Sequence, residues 1–425
     1  MNVAAVILAS GCSRRFGSDK MKAPWGPSSL LPFFLSHWPR HLFCRTIVVV
    51  KKEDQSLLPQ GFEGVVNDQP ELGQGHSIRL AAERLGDEQG ALFVMADMPL
   101  LSERTVSHLL SQASQRPHQP HAACCEGQLK NPVYFPRRTF KALRSLQPHQ
   151  TGKAALQSSQ LIPVPVPSHE CWDVDYPADL NRCRQKALQL RSEALARALL
   201  PEKSCALAFV GGGGKTSTLW LLAHYLACQG EKVVVTTTTH MGSGPLPSVA
   251  CPRPEKGKVI YWAQPKGDGF CAPAKLEDCA SELLSSGVWL LIEADGSRQL
   301  PVKAPAAHEP ALPSWVRRVL WVCNPYRAQS GTISEVAHRP ELVCALTGLG
   351  AEDRLDDQAL ALLAQSWEGG LKNLPSGADW RWLLTGPRDV SARVQRLLGS
   401  RALVFEAWPE EKEGKPLEQD DESLY

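Results

Sequence analysis

The sequence predicts two α/β units in tandem, each an open, mostly parallel sheet, and three observations carry that expectation. Apolar runs of strand length alternate with helical patterns through both halves of the chain. In each half the first such run ends in a turn of small residues, Ala9-Ser10-Gly11 in one and Gly211-Gly212-Gly213-Gly214 in the other. Between the halves, Ala178–Leu200 is rich in Ala, Leu, Arg and Gln and lacks Pro and Gly, so it reads as helix, with the boundary near Leu190. The expected organisation is residues 1–190, 191–408 and a tail, 409–425.

In the first unit, Val3–Leu8, Thr46–Val50, Ala91–Met95 and Pro132–Phe135 read as buried strands. Ser77–Leu85 and Glu103–Ser111 read as helices between them, which implies a sheet covered on both faces. Pro163, Pro165 and Pro167 alternate with Ile162, Val164 and Val166, the pattern of a stiff edge strand. In the second unit, Ala206–Val210, Val233–Val235 and Val288–Ile292 are strands. Gly242–Gly269, rich in Pro and Gly, is expected to be mostly loop. The acidic, apolar-poor tail from Pro409 is expected to be disordered.

Composition narrows the function classes. A chain of 425 residues with 43% hydrophobic and 21% charged residues can bury a large core. A net charge of +2 gives no strong basic field for a nucleic-acid backbone, which argues against nucleic-acid binding. No apolar run approaches the roughly 20 residues of a membrane helix, and Met1–Leu8 has no positive region ahead of its apolar run, as a signal peptide would. A soluble cytoplasmic protein is expected. The 13 cysteines contain no C-x-x-C pair, so buried free thiols are expected. His37 and His41 are separated by Pro39, which argues against a helical metal pair.

The first informative stretch is Leu8-Ala9-Ser10-Gly11-Cys12-Ser13-Arg14-Arg15-Phe16-Gly17-Ser18-Asp19-Lys20. Small residues after a strand let the backbone approach a phosphate closely, and Arg15 and Lys20 can neutralise a triphosphate. Asp97-Met98-Pro99 and Asp173-Val174-Asp175-Tyr176-Pro177 place carboxylates before rigid turns, where Asp97 and Asp175 suit Mg²⁺. Asp179 reads as the start of the following helix.

These pieces resemble the MobA/MocA-like nucleotidyltransferases. That family's L-A-A-G-x-S-x-R-M-G-x-x-K motif stands at Leu8–Lys20 with Ser10 and Phe16 as replacements, and its G-x-x-x-S-[IL] segment at Gly73–Ile78. Its D-x-P is Asp97–Pro99, its P-V-x-F is Pro132–Phe135, and its D-x-[DN]-T-P-x-D-L is Asp173–Leu180 with Tyr176 for Thr. The family's G-D-K-G-A-R segment stands as Thr151–Leu156, keeping Lys153 and Ala155. The resemblance implies a GT-A-like, Rossmann-type domain that transfers CMP from CTP to molybdopterin-bound molybdenum, or in the neighbouring branch uses GTP. It implies nucleotide binding by Leu8, Ala9, Ser10, Gly11, Gly75 and Ser77, and catalysis by Arg15, Lys20 and Asp97.

In the second unit a strand, four glycines, Lys-Thr and a helix follow in series, the context of a P-loop-type domain. Phe209 stands where the longer phosphate-loop pattern has its first glycine, so the shorter G-x-x-G-K-[ST] from Gly211 to Thr216 is the fit. Gly211, Gly213, Gly214, Lys215, Thr216 and Ser217 are expected around the phosphates of ATP or GTP, with Thr216 on Mg²⁺. Thr236–His240 ends one strand in hydroxyls, and Val288–Ile292 runs into Glu293 and Asp295, acids placed for Mg²⁺ or its water, with Lys303 close by. The unit resembles the YqeC family through V-G-x-G-G-K-T-[ST]-T, V-T-T-T-T-H and E-A-D-G-[SA] followed by K-x-P. That resemblance implies an accessory role for selenium-dependent molybdenum hydroxylases, with a hydroxylase apoenzyme as partner. Two other readings stay open: another NTP:phosphate transferase, and a P-loop chaperone.

Overall fold

The computed structural model describes residues 2–26, 28–156, 161–242, 245–267 and 269–405. The tail from Pro409 lies outside them. The chain divides into Met1–Leu188 and Gln189–Tyr425. Among the described residues no helix is long and apolar enough to cross a membrane.

The first unit is a seven-stranded sheet of β1 (Val3–Leu8), β2 (Arg45–Lys51), β3 (Glu63–Asn67), β4 (Gly90–Met95), β5 (His121–Cys125), β6 (Gln128–Pro136) and β7 (Ile162–Pro165). The order is β3-β2-β1-β4-β6-β5-β7. The first four strands pair in parallel, β6 runs antiparallel to β4 and β5, and β7 is the proline-bearing edge, parallel to β5. β1 is buried along its whole length because both its faces are covered. From β1 the chain builds to one side through β2 and β3 and then crosses to β4. The carboxyl ends of β1 and β4 therefore flank the point where the strand order reverses, the place such sheets leave open to a ligand.

Helix α1 (Leu30–His37) precedes β2, and α2 (Gln74–Arg84) follows β3. Ile78, Ala81, Ala82 and Leu85 recur on one face of α2 or just past its end and pack on Phe93 and Phe135. Helix α3 (Glu103–Gln115) starts at Ser102, whose hydroxyl accepts from the Thr105 amide and donates to Glu170. Helix α4 (Phe140–Arg144) packs against α2, and α5 (Pro177–Leu199) is the long helix expected near the boundary. Eleven cysteines are free, but only Cys183 and Cys323 of them are buried as expected, and Cys125 and Cys171 form a disulfide across a sequence separation of 46. The fold brings β5 beside the turn that precedes α5, a proximity no local spacing encodes.

The second unit is an eight-stranded sheet with every neighbouring pair parallel. Its strands are β8 (Ala206–Gly211), β9 (Lys232–Thr237), β10 (Ser248–Val249), β11 (Val259–Trp262), β12 (Val288–Glu293), β13 (Arg318–Cys323), β14 (Asp379–Thr385) and β15 (Ala402–Phe405). The order β10-β11-β9-β12-β8-β13-β14-β15 places β8 near the middle. Leu290 and Ile292 pack on one face and Leu291 on the other, which explains the unbroken apolar run of β12. Helix α6 (Lys215–Cys228) follows β8 and buries Leu219, Leu222, Ala223 and Leu226. Gly242–Gly269 is mostly loop among its described residues, as expected, and β10 and β11 are short strands within it, where Tyr261 and Trp262 are almost fully buried.

Candidate functional site

In the first unit a cleft of about 430 Å³ opens at the carboxyl ends of β1 and β4. Leu8, Ser10, Gly11, Arg15, Lys20 and Ser77 are among its lining residues, together with Asp175. Ala9 is buried beneath it, its amide donating to the Val49 carbonyl. A Cβ on Gly11 would meet nothing within 4 Å, so this glycine leaves free space in the cleft wall. Gly75 behaves differently. A Cβ there would lie 2.1 Å from the Gln147 carbonyl oxygen, so its small size serves close packing, and Gly73 and Gln74 line the cleft instead.

Lys20 lies between the two aspartates. Its ammonium donates to Asp97 Oδ2 at 2.5 Å, the Val174 carbonyl at 2.9 Å and Asp175 Oδ1 at 3.3 Å, so all three protons are in use. Burial pulls this lysine's pKa down, but Asp97 and Asp175 outweigh it and leave it above the ordinary value. Burial raises the Asp97 carboxyl against the pull of Lys20, with Asp173 and Asp175 adding to the rise. Asp97 is 4% exposed, and its Oδ1 has no hydrogen-bond partner. The more exposed Arg15 pairs with Asp175 at 2.9 Å. Asp179 accepts from the Asp175 and Tyr176 amides and caps the start of α5.

Three supporting groups, Asn67, Lys51 and Lys22, escape a sequence reading. Asn67, at the end of β3, donates to both Ser10 Oγ and Ser77 Oγ, which are 2.9 Å apart. The only local signal is a polar residue closing an apolar strand. Lys51 pairs with Asp19 at 2.6 Å, while Lys22 pairs with the fully buried Asp54 at 2.9 Å, fixing both flanks of Lys20.

In the second unit the segment after β8 folds as a tight loop onto α6. Gly211, Gly213 and Gly214 have φ of +95°, +72° and +119°, and a Cβ on Gly213 would lie 2.6 Å from the Asn324 amide nitrogen. Lys215, 4% exposed, donates to the Gly211 carbonyl at 2.5 Å and pairs with Asp295 at 3.0 Å. Asp295 also accepts from the Gly211 amide at 2.9 Å. The Thr216 hydroxyl donates to Glu293 at 2.8 Å, and burial raises the Glu293 carboxyl against the pull of Lys215 and Thr216. Ser217 is exposed in the first turn of α6. Beside Glu293, the hydroxyl oxygens of Thr238 and Thr239 are buried without a hydrogen-bond partner. Lys303 reaches Asp295 at 3.5 Å and Glu309 at 2.8 Å. Thr385, from distant β14, donates to the Gly213 carbonyl at 2.6 Å, and no motif marks it.

Each unit thus sets a small-residue turn and acids at the carboxyl ends of parallel strands, and comparison with known proteins gives the class. Residues 5–164 match the MobA-like NTP transferase domain, and residues 207–341 match the YqeC protein. The uncharacterized protein YqeC of Escherichia coli strain K12 is 32% identical over 197 residues, covering 43% of this chain and 76% of that protein. The chain belongs to the YqeC family and carries a MobA-like nucleotidyltransferase domain ahead of its YqeC part. A probable molybdenum cofactor guanylyltransferase of Mycobacterium avium strain 104 is 30% identical over 122 residues, covering 27% of this chain and 59% of that protein. The crystal structure of a Mycobacterium tuberculosis Rv0371c homologue from Mycobacterium sp. strain JC1 aligns with a TM-score of 0.40 at 23% identity, over 44% of this chain and 98% of that one.

Proposed function

We propose that the first unit transfers CMP from CTP to molybdenum-bearing molybdopterin with release of pyrophosphate. The observation that supports this reading best is the meeting of Arg15, Lys20, Asp97 and Asp175 beside the small-residue turn at Gly11. The donor set fits Mg²⁺: Asp97 presents a buried, unpartnered carboxylate oxygen, and Asp175 lies across Lys20 from it. Among the described residues no three His, Cys, Asp or Glu side chains converge as a metal cage, which suits an ion that takes the rest of its ligands from phosphate. Bound there, Mg²⁺ would supply charge stabilisation on the triphosphate.

The chain's own part is positioning. An acceptor phosphate oxygen attacks the α-phosphorus in line, the bond to the β-phosphate breaks, and Arg15 with the turn's N–H groups stabilises the departing pyrophosphate. Lys20 joins only by exchanging one of its three internal acceptors for a phosphate oxygen. A GTP-using enzyme is the second reading, favoured by the similarity to the mycobacterial guanylyltransferase. Pyrophosphate release is to be measured with each of the four NTPs, with and without molybdenum-loaded molybdopterin. Release that needs CTP and the acceptor supports the proposal, GTP dependence moves it to the second reading, and no release with any NTP overturns it.

For the second unit we propose a P-loop-type site that binds ATP or GTP through Gly211–Ser217, with Mg²⁺ held by Thr216 and Glu293 or Asp295. The orphaned Thr238 and Thr239 hydroxyls beside Glu293 support a polar ligand there. Its role would be the cytoplasmic maturation of a molybdenum hydroxylase, including selenium-dependent ones. Nucleotide-dependent capture of a hydroxylase apoenzyme without turnover would make it a chaperone.

A further inference from the structure

We propose that the second unit holds, beside its glycine loop, a site for the oxyanion group of a second substrate, a carboxylate or phosphate, formed by Arg298, His338 and Arg339. The existence of the site is independent of the nucleotide reading. Its role as a second-substrate site rests on that reading.

Three stretches build it. After Asp295 the chain folds into a loop closed by the Leu300 amide donating to the Ser297 carbonyl. This loop sits on the glycine loop: a Cβ on Gly212 would lie 2.6 Å from the Leu300 carbonyl oxygen. Arg298 is exposed on it. Val302–Lys303 then pairs in parallel with Ala337–His338, setting Lys303 opposite His338 and bringing Arg339 alongside. Arg298, Gln299 and Arg339 have φ of +51°, +62° and +64°, three of the six non-glycine residues described with positive φ. Side-chain-bearing residues held in this region cost on the order of 1 kcal/mol each and gather where a function fixes them.

The charges do not balance. Lys215 and Lys303 share Asp295, and Lys303 and Arg339 share Glu309, so three cations face two carboxylates before Arg298 is added. Glu293, which accepts from Thr216, is a third carboxylate nearby, so with Arg298 four cations face three carboxylates. A nucleotide would occupy Lys215. The remaining surplus sits at Arg298 and Arg339. Among the described residues Arg339 is seen to donate through Nη1, to Glu309 and the Ala304 carbonyl, so the Nη2 and Nε edge of its fork can meet a ligand. His338 stands among these groups as a neutral donor: burial lowers its pKa, as do Arg339, Lys303 and Arg298, while Glu309 opposes them. A guanidinium fork, a second arginine and one imidazole N–H suit an oxyanion.

The test uses the full chain labelled with ¹³C at histidine Cε1, with the His338 resonance identified by its loss in His338→Gln. The glycine loop is first saturated with Mg²⁺ and adenylyl imidodiphosphate, and inorganic phosphate or acetate is titrated against a sodium chloride control. A saturable shift of the His338 resonance is expected, larger for whichever anion matches the natural group. Arg298→Ala, at an exposed position, is expected to weaken the midpoint about ten-fold. A linear drift equal to the chloride control, or a midpoint unchanged in Arg298→Ala, overturns the site. If calorimetry shows no binding of the nucleotide analogue, the nucleotide reading fails while the phosphate titration still decides the anion site.

Discussion

The Asp97 carboxylate has one oxygen committed to Lys20 and one without a partner. Asp97→Asn keeps the shape but removes the charge that both Lys20 and a cation need. It is expected to cost several kcal/mol at the transition state, a loss of pyrophosphate release by a thousand-fold or more, roughly. Circular dichroism should show the fold retained, and near-normal release by a folded variant would refute the role. The two glycines near the cleft should separate in the same assay. Gly11→Ala adds a methyl into open space, so stability should move by no more than ~0.5 kcal/mol while the KM for nucleotide rises. Gly75→Ala drives a methyl against a backbone carbonyl and should cost about 1–3 kcal/mol of stability. A third residue carries a pH signature. Glu309, between Lys303 and Arg339, titrates at about 2 instead of 4.5, because those hydrogen bonds and charges outweigh its burial. A lowered folded-state pKa stabilises above the unfolded value and loses that effect as pH falls toward the folded one. Glu309→Gln should therefore be less stable than the parent at neutral pH. The gap should close between about pH 4.5 and 2 in denaturant titrations.

At the scale of elements, the glycine loop is held from outside its own strand and helix. Thr385→Val removes the hydroxyl that β14 offers to the Gly213 carbonyl. It should weaken ATP or GTP binding by calorimetry while leaving the sheet intact, whereas Gly213→Ala, with positive φ and a contact at 2.6 Å, should disrupt the loop itself. This contrast also marks what the sequence could reveal. β1, β4, β8, β9 and β12, buried on both faces, were legible as short apolar runs that need no partner to be recognised, whereas β13, almost as buried, is not among the expected strands. So were the residues at their carboxyl ends, because sheet geometry sends those ends to one side. Asn67, Thr385 and Glu309 were not legible: each acts through a partner 10 residues or more away, or through a cation on another segment, and strand order decides that choice. β14 hides behind Asp379, Trp380 and Arg381, which are only half-buried, and β15 is a four-residue edge. Gly75 shows the converse, a motif glycine whose small size the fold uses for packing.

At the scale of the molecule, each unit has its own small-residue turn and its own strand-end acids. Lys215→Ala should thus abolish ATP or GTP binding by the second unit and leave NTP-dependent pyrophosphate release by the full chain unchanged. Loss of that release in a folded variant would mean that one reaction draws on both units. The Thr385 contact has a further consequence, one of timing. Gly213 and Thr385 are 172 residues apart, so at 5–20 residues per second a ribosome takes roughly 10–30 s to make the second after the first. Late in that interval the nascent chain holds all of residues 207–341, glycine turn included, without the strand that anchors the turn. A chain stalled at Glu341 should show no nucleotide protection against protease, and one extended past Phe405 should show it. On the proposed reading, nucleotide binding by the second unit waits for β14, long after the first unit has been made.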